Sequence, residues 1–144
     1  MTKYNKHNSH AYMRTRMHFR NLWLILGVLY IAFIIAGSLL RVPDINISIS
    51  HSDKVINFLI YFILVGWFVQ LYQKLSSRIL ILISAIVLGL LIEYLQGMTA
   101  YRSFDFADEI ANSIGAVSAF LLAKTTFDSI LSIVDQWLYQ WKTS

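Results

Sequence analysis

The chain predicts an all-α integral membrane protein: a four-transmembrane-helix bundle with both termini in the cytoplasm and an amphipathic, interfacial C-terminal helix. Three observations predict it. Apolar residues make up 57% of the 144 and charged residues only 14%, against about 25% charged in soluble domains. Mean hydropathy is +0.57. Long runs carry no charge, while Lys and Arg gather at one end and in one short loop.

The first segment, residues 1–20, is a basic cytoplasmic tail holding Lys3, Lys6, Arg14, Arg16 and Arg20, five of the twelve Lys and Arg residues. The net charge of +4 and pI near 9.4 therefore mark membrane topology rather than a nucleic-acid surface. Asn21 to Leu40 follows, twenty residues without a charge, which at 1.5 Å per residue crosses a hydrocarbon core of about 30 Å. A signal peptide would have an apolar stretch of roughly 7–15 residues and a small-x-small cleavage site. This run is longer and ends Leu39-Leu40-Arg41-Val42-Pro43, so it is expected to stay as a span.

Within the transmembrane domain, residues 21–123, the further spans are expected at about 55–73, 79–97 and 105–127. The fourth is the weakest, because its charge-free part, Ile110 to Ala123, is short. The loop from Val42 to Ser50 alternates apolar and polar residues, a pattern of extended chain. The basic tail and the Lys74–Arg78 loop lie on one side of a four-span chain, and the positive-inside rule makes that side cytoplasmic. In residues 127–144, Phe127, Ile130, Leu131, Val134, Trp137, Leu138 and Trp141 recur at helical spacing, with Asp128, Ser132, Asp135, Tyr139 and Lys142 opposite. Such a helix, with two Trp residues, is expected to lie in the cytoplasmic interface, apolar face down and polar face to water.

Polar residues interrupt this apolar chain at one depth. Asp53, Lys54, Asn57 and Tyr61 open the second span, Glu93 and Gln96 close the third, and Asp105, Asp108 and Asn112 open the fourth. In the expected topology all three stripes meet on the outer side. Ionisable groups inside membrane spans are costly and generally mark a functional site. Each also has a plainer reading: Asp53 and Asp105 as helix caps, Asp108 and Glu109 as first-turn carboxylates favoured by the helix dipole, Gly115 as a helix-packing residue. Caps do not explain Glu93, Gln96 and Asn112, which lie deeper. Glu93 is expected to need a cation or a proton, and Arg102 or Lys54 can supply the cation.

The series Asp53-Lys54-x-x-Asn57-Phe58-x-x-Tyr61, Glu93-x-x-Gln96 and Arg102-x-x-Asp105-x-x-Asp108-x-x-x-Asn112-x-x-Gly115 resembles the VanZ-like family, small bacterial membrane proteins related to a teicoplanin-resistance protein. The resemblance covers about residues 38–123. It implies the bacterial cytoplasmic membrane and a link to glycopeptide or lipoglycopeptide susceptibility. The family usually has His where this chain has Asn57; Asn replaces a hydrogen-bond donor but not a proton carrier or metal ligand.

The favoured expectation is a non-enzymatic protein whose polar cleft engages an envelope lipid, a cell-wall precursor or a lipoglycopeptide, with no cofactor. An enzyme is the alternative, with Asp53, Glu93, Asp105 and Asp108 holding a divalent cation through oxygen. Against it, only His51 lies near the site and no nucleophile motif is present; without cysteine, thiolate chemistry is excluded. A small proton-coupled exporter using Glu93 is the third reading.

Overall fold

A computed structural model of the chain describes residues 17–39, 52–99, 105–123 and 125–144. The basic residues of the tail before Met17, the loop 40–51 and Arg102 lie outside the described residues. The elements are α1 (Arg20–Leu39), α2 (Ser52–Leu71), α3 (Leu75–Gly97), α4 (Phe106–Leu122), a 3₁₀ turn (Thr126–Ser129) and α5 (Ile130–Thr143). No strand occurs among the described residues. Three helices, α1 to α3, are long and apolar enough to cross a membrane. Their outward surfaces are apolar, with Phe33, Leu80 and Leu91 among the exposed residues. The interior is built instead from Val65, Val69, Ala85, Ala116 and Ala119, small residues that let helices approach closely.

Two expected boundaries are corrected. The fourth helix ends at Leu122, not near 127. There Thr125 Oγ1 donates to the Leu122 carbonyl at 2.7 Å and accepts from the Phe127 amide at 3.3 Å, turning the chain into the 3₁₀ segment. At 17 residues α4 is about 25 Å long. The third helix begins at Leu75, so Arg78 belongs to its first turn rather than to a loop. Its guanidinium donates to the Tyr72 carbonyl at 2.7 Å and to the Ala123 carbonyl at 3.0 Å, satisfying carbonyls left without partners where α2 and α4 end.

Contacts at the helix ends give the chain's direction. Arg78 joins the end of α4 to the start of α3, and Asp135 on α5 binds the start of α1. At the other end Gln96 on α3 reaches the Ser38 carbonyl of α1 at 2.8 Å, and Lys54 on α2 reaches the start of α4. The helices α1 to α4 therefore alternate in direction, and α2 and α4 run parallel. These two meet at backbone distance: a Cβ on Gly115 would collide with the Phe58 carbonyl.

The polar side of α5 departs from the expected one. Ser132 and Asp135, expected on the solvent face, are buried, while Trp137 and Trp141 are 64% and 74% exposed. The cause is a helix cap made in trans. The Asp135 carboxylate accepts the His18 and Phe19 amides at 2.6 and 2.9 Å and the Trp23 indole at 2.7 Å, and the His18 ring stacks on Tyr139 with centroids 3.7 Å apart. An anion at the positive end of α1 is favourable. Ile130, Val134, Trp137 and Trp141 are left facing outward, while Leu131 is buried and Leu138 packs beside it against Trp23 and Leu71.

Two stability outcomes are expected from chemical unfolding in detergent micelles. Gly115→Ala forces α2 and α4 apart and costs about 2–3 kcal/mol, the range for overpacking a rigid contact. Gly37→Ala, where nothing lies within 4 Å, is neutral or slightly stabilising. Asp135→Ala strips three donors of their acceptor and costs about 2 kcal/mol. It also exposes α5 to limited proteolysis, and Asp135→Asn retains part of the protection.

Candidate polar cleft at the helix ends

Spacing alone turns one face of α3 inward: Gly89, Glu93 and Gln96 fall at i, i+4 and i+7, and all are buried. The start of α4 comes to meet this face. Asp105 is its N-cap, one carboxylate oxygen accepting the Ala107 amide at 2.8 Å. The other oxygen accepts from the Lys54 ammonium at 2.8 Å. The cap and site readings of Asp105 thus hold together, one oxygen each. Lys54 also donates to Asp108 at 2.9 Å, and the Asp105 amide donates to Glu93 Oε2 at 3.2 Å. One lysine from α2, one glutamate from α3 and two aspartates from α4 are thereby joined.

The remaining residues fall around this centre. Asp53 is exposed, with an oxygen 3.8 Å from the Lys54 ammonium. Asn57 is half-buried below Lys54. Gln96 ties α3 to α1 through the Ser38 carbonyl. Tyr61 and Asn112 are buried deeper, and Gly115 serves the α2–α4 contact rather than the cleft. The expected bridge from Arg102 lies outside the described residues. Lys54, the other candidate partner for Glu93, is bonded to Asp105 and Asp108.

Glu109 was expected only as a first-turn carboxylate. It is buried, and accepts from Ser113 Oγ at 3.0 Å. The signal for it was its spacing, i, i+3 to Asn112 and i, i+4 to Ser113. Among the described residues no group of three or more His, Cys, Asp or Glu side chains is arranged for a metal ion. The Lys54 ammonium itself sits between the two aspartates.

The sequence model of the VanZ/LLP1 family matches residues 2–130. A protein of the fission yeast Schizosaccharomyces pombe, described only as uncharacterized, is 30% identical over 109 residues, 74% of this chain. The match spans 66% of that relative's length. No solved structure matches the chain. The chain belongs to the VanZ/LLP1 family.

The ion pair sets an acid dependence. The Lys54 ammonium, and after it the Ala107 amide, hold the Asp105 carboxyl below its usual range. A carboxyl lowered on folding contributes stability above its unfolded value, near pH 4, and loses it as pH falls through the lower folded value. Thermal melts from about pH 7 to pH 3 are expected to show the unfolding midpoint falling at the acid end. In Asp105→Asn the midpoint starts lower at neutral pH and falls less. In Lys54→Met it is lowered at neutral pH by more than in Asp53→Ala, because Asp108 is left buried without its cation.

Proposed function

We propose that this VanZ/LLP1-family protein spans the cytoplasmic membrane four times and binds the head group of an envelope lipid or similar amphiphile in its polar cleft. The basic tail and the Lys74–Arg78 segment put the start of α1 and the α2–α3 turn inside by the positive-inside rule. The cleft, at the opposite helix ends, then opens outside. The short α4 crosses with its polar first turn at head-group level, where local thinning of the bilayer accommodates it at modest cost. The apolar stripe of α5, with Trp137 and Trp141, lies in the inner interface.

The observation that carries this reading is the double hydrogen bond of Lys54 to Asp105 and Asp108, backed by Glu93, at the ends of three apolar helices. Among the described residues, carboxylate oxygens of Asp53, Asp105 and Asp108 lie 3.8, 2.8 and 2.9 Å from the Lys54 ammonium, with Glu93 bonded to the Asp105 amide. That balance favours a ligand with a cationic amine for the carboxylates and an anionic group for Lys54, the chemistry of a zwitterionic phospholipid head group. A relative in a yeast, which builds no peptidoglycan, supports a head group common to membranes over a cell-wall precursor. A change in susceptibility to lipoglycopeptides such as teicoplanin would follow from altered envelope lipid or from the drug occupying the same cleft.

Native mass spectrometry of the purified protein with phosphatidylethanolamine and phosphatidylglycerol of matched chains tests the reading. Phosphatidylethanolamine is expected to be retained in preference. Lys54→Met and Glu93→Ala are expected to weaken its binding roughly tenfold or more. Equal retention of both lipids, or wild-type binding in both variants, would sink it.

A further inference from the structure

Below the Lys54 cluster lies a second polar group that the cleft does not use. Tyr61 on α2 and Glu109 and Asn112 on α4 are 3%, 4% and 4% exposed. Each presents a buried oxygen without a hydrogen-bond partner among the described residues: the Tyr61 hydroxyl, Glu109 Oε2 and Asn112 Oδ1. Buried polar atoms are nearly always paired, so three unpaired ones from neighbouring helix faces need an explanation.

They are brought together by a missing side chain. A Cβ on Gly89 of α3 would stand 2.5 Å from Glu109 Oε2 and 3.3 Å from the Tyr61 hydroxyl. The carboxyl and the phenol therefore converge on one bare stretch of backbone, and Asn112 lies one turn along α4 from Glu109, on the same face. Tyr61 is nine residues into α2, about 13 Å along its axis. Glu109 is in the first turn of α4, so the group reaches from that turn to the third turn of α2.

Charge decides what such a group can hold. The groups around it are Asp53 and Lys54 on α2, Glu93 on α3, and Asp105 and Asp108 on α4; α1 carries no charge beyond Arg20. Lys54 is bonded to Asp105 and Asp108, and no ion pair reaches Glu109 among the described residues. An isolated carboxylate away from water neutralises rather than staying charged. As a neutral acid, Glu109 has one proton to donate, and both Asn112 Oδ1 and the Tyr61 oxygen can accept it.

We propose that Glu109 is a proton-binding carboxyl, holding a proton on Oε2 against Asn112 and Tyr61, and that it, not Glu93, is the proton site of this chain. The site has a second state. When the proton leaves, Ser113 continues to donate to Oε1, and a shift of the Tyr61 ring toward Glu109 would supply a second donor. The inference rests on the bundle lying in lipid, but not on the identity of the head group bound above.

Infrared spectroscopy of the protein in lipid nanodiscs at neutral pH tests it. The chain has two glutamates, Glu93 and Glu109, so ¹³C-glutamate labelling in the Glu93→Gln variant leaves Glu109 as the single labelled carboxyl. A protonated carboxylic-acid band is expected that shifts with the label and with deuteration. It disappears in Glu109→Gln and changes frequency in Tyr61→Phe. A labelled protein showing only carboxylate bands overturns the proposal, as does a protonated band that survives Glu109→Gln. Wild-type lipid binding in both Lys54→Met and Glu93→Ala would sink the head-group reading and leave this band in place.

Discussion

Contact between the α2 and α4 backbones at Gly115 and Phe58 is the constraint on which the polar architecture depends. The two helices run parallel and start together. Only when they touch does Lys54 come within 2.8 and 2.9 Å of Asp105 and Asp108. The same approach carries Tyr61 toward the face of α4 that holds Glu109. Antiparallel α3 then closes the group from the other side, with Glu93 at one level and bare Gly89 a turn deeper. A methyl group at position 115 would therefore disturb both layers at once.

Several helix ends are finished by a side chain from another element: Gln96 on the Ser38 carbonyl, Arg78 on the carbonyls of Tyr72 and Ala123, Asp135 on the amides of His18 and Phe19. Away from bulk water, an orphan amide or carbonyl at a helix end has few other partners, so the cost of leaving it is high. Charged residues that composition alone would assign to solvated loops are thereby drawn into the bundle.

Much of this was legible because helical spacing is unambiguous in apolar runs. The limits of α1, the end of α3 at Gly97 and the inward face of Glu93 and Gln96 follow from charge-free length and from i, i+3 spacing. The meeting of Lys54 with Asp105 and Asp108 follows once alternation is assumed. What was not legible turns on environment. Amphipathicity says that α5 has two faces but not that Asp135 on its polar face turns inward to cap α1. Glu109 follows Asp108 directly, and a first-turn carboxylate has a sufficient explanation in the helix dipole; nothing in spacing says that Gly89 opens space for it. The end of α4 was missed because Thr125, a local hydrogen-bonding residue, stops a run whose apolar pattern continues to Phe127.

The adjacency of Asp108 and Glu109 links the two layers. They are peptide neighbours in the first turn of α4, yet one faces the Lys54 ammonium and the other faces Gly89. If a ligand amine takes the place of Lys54 beside Asp108, the charge felt by Glu109 changes at short range in a medium of low dielectric constant, where Coulomb interactions are strong. The turn itself is rigid, tied by the Asp105 cap and by Ser113 to Glu109. A displacement of Asp108 is therefore transmitted to Glu109 through helical geometry rather than absorbed by a loop. If the cleft takes a ligand and Glu109 a proton as proposed, the two are coupled through this turn, and by linkage each biases the other equally.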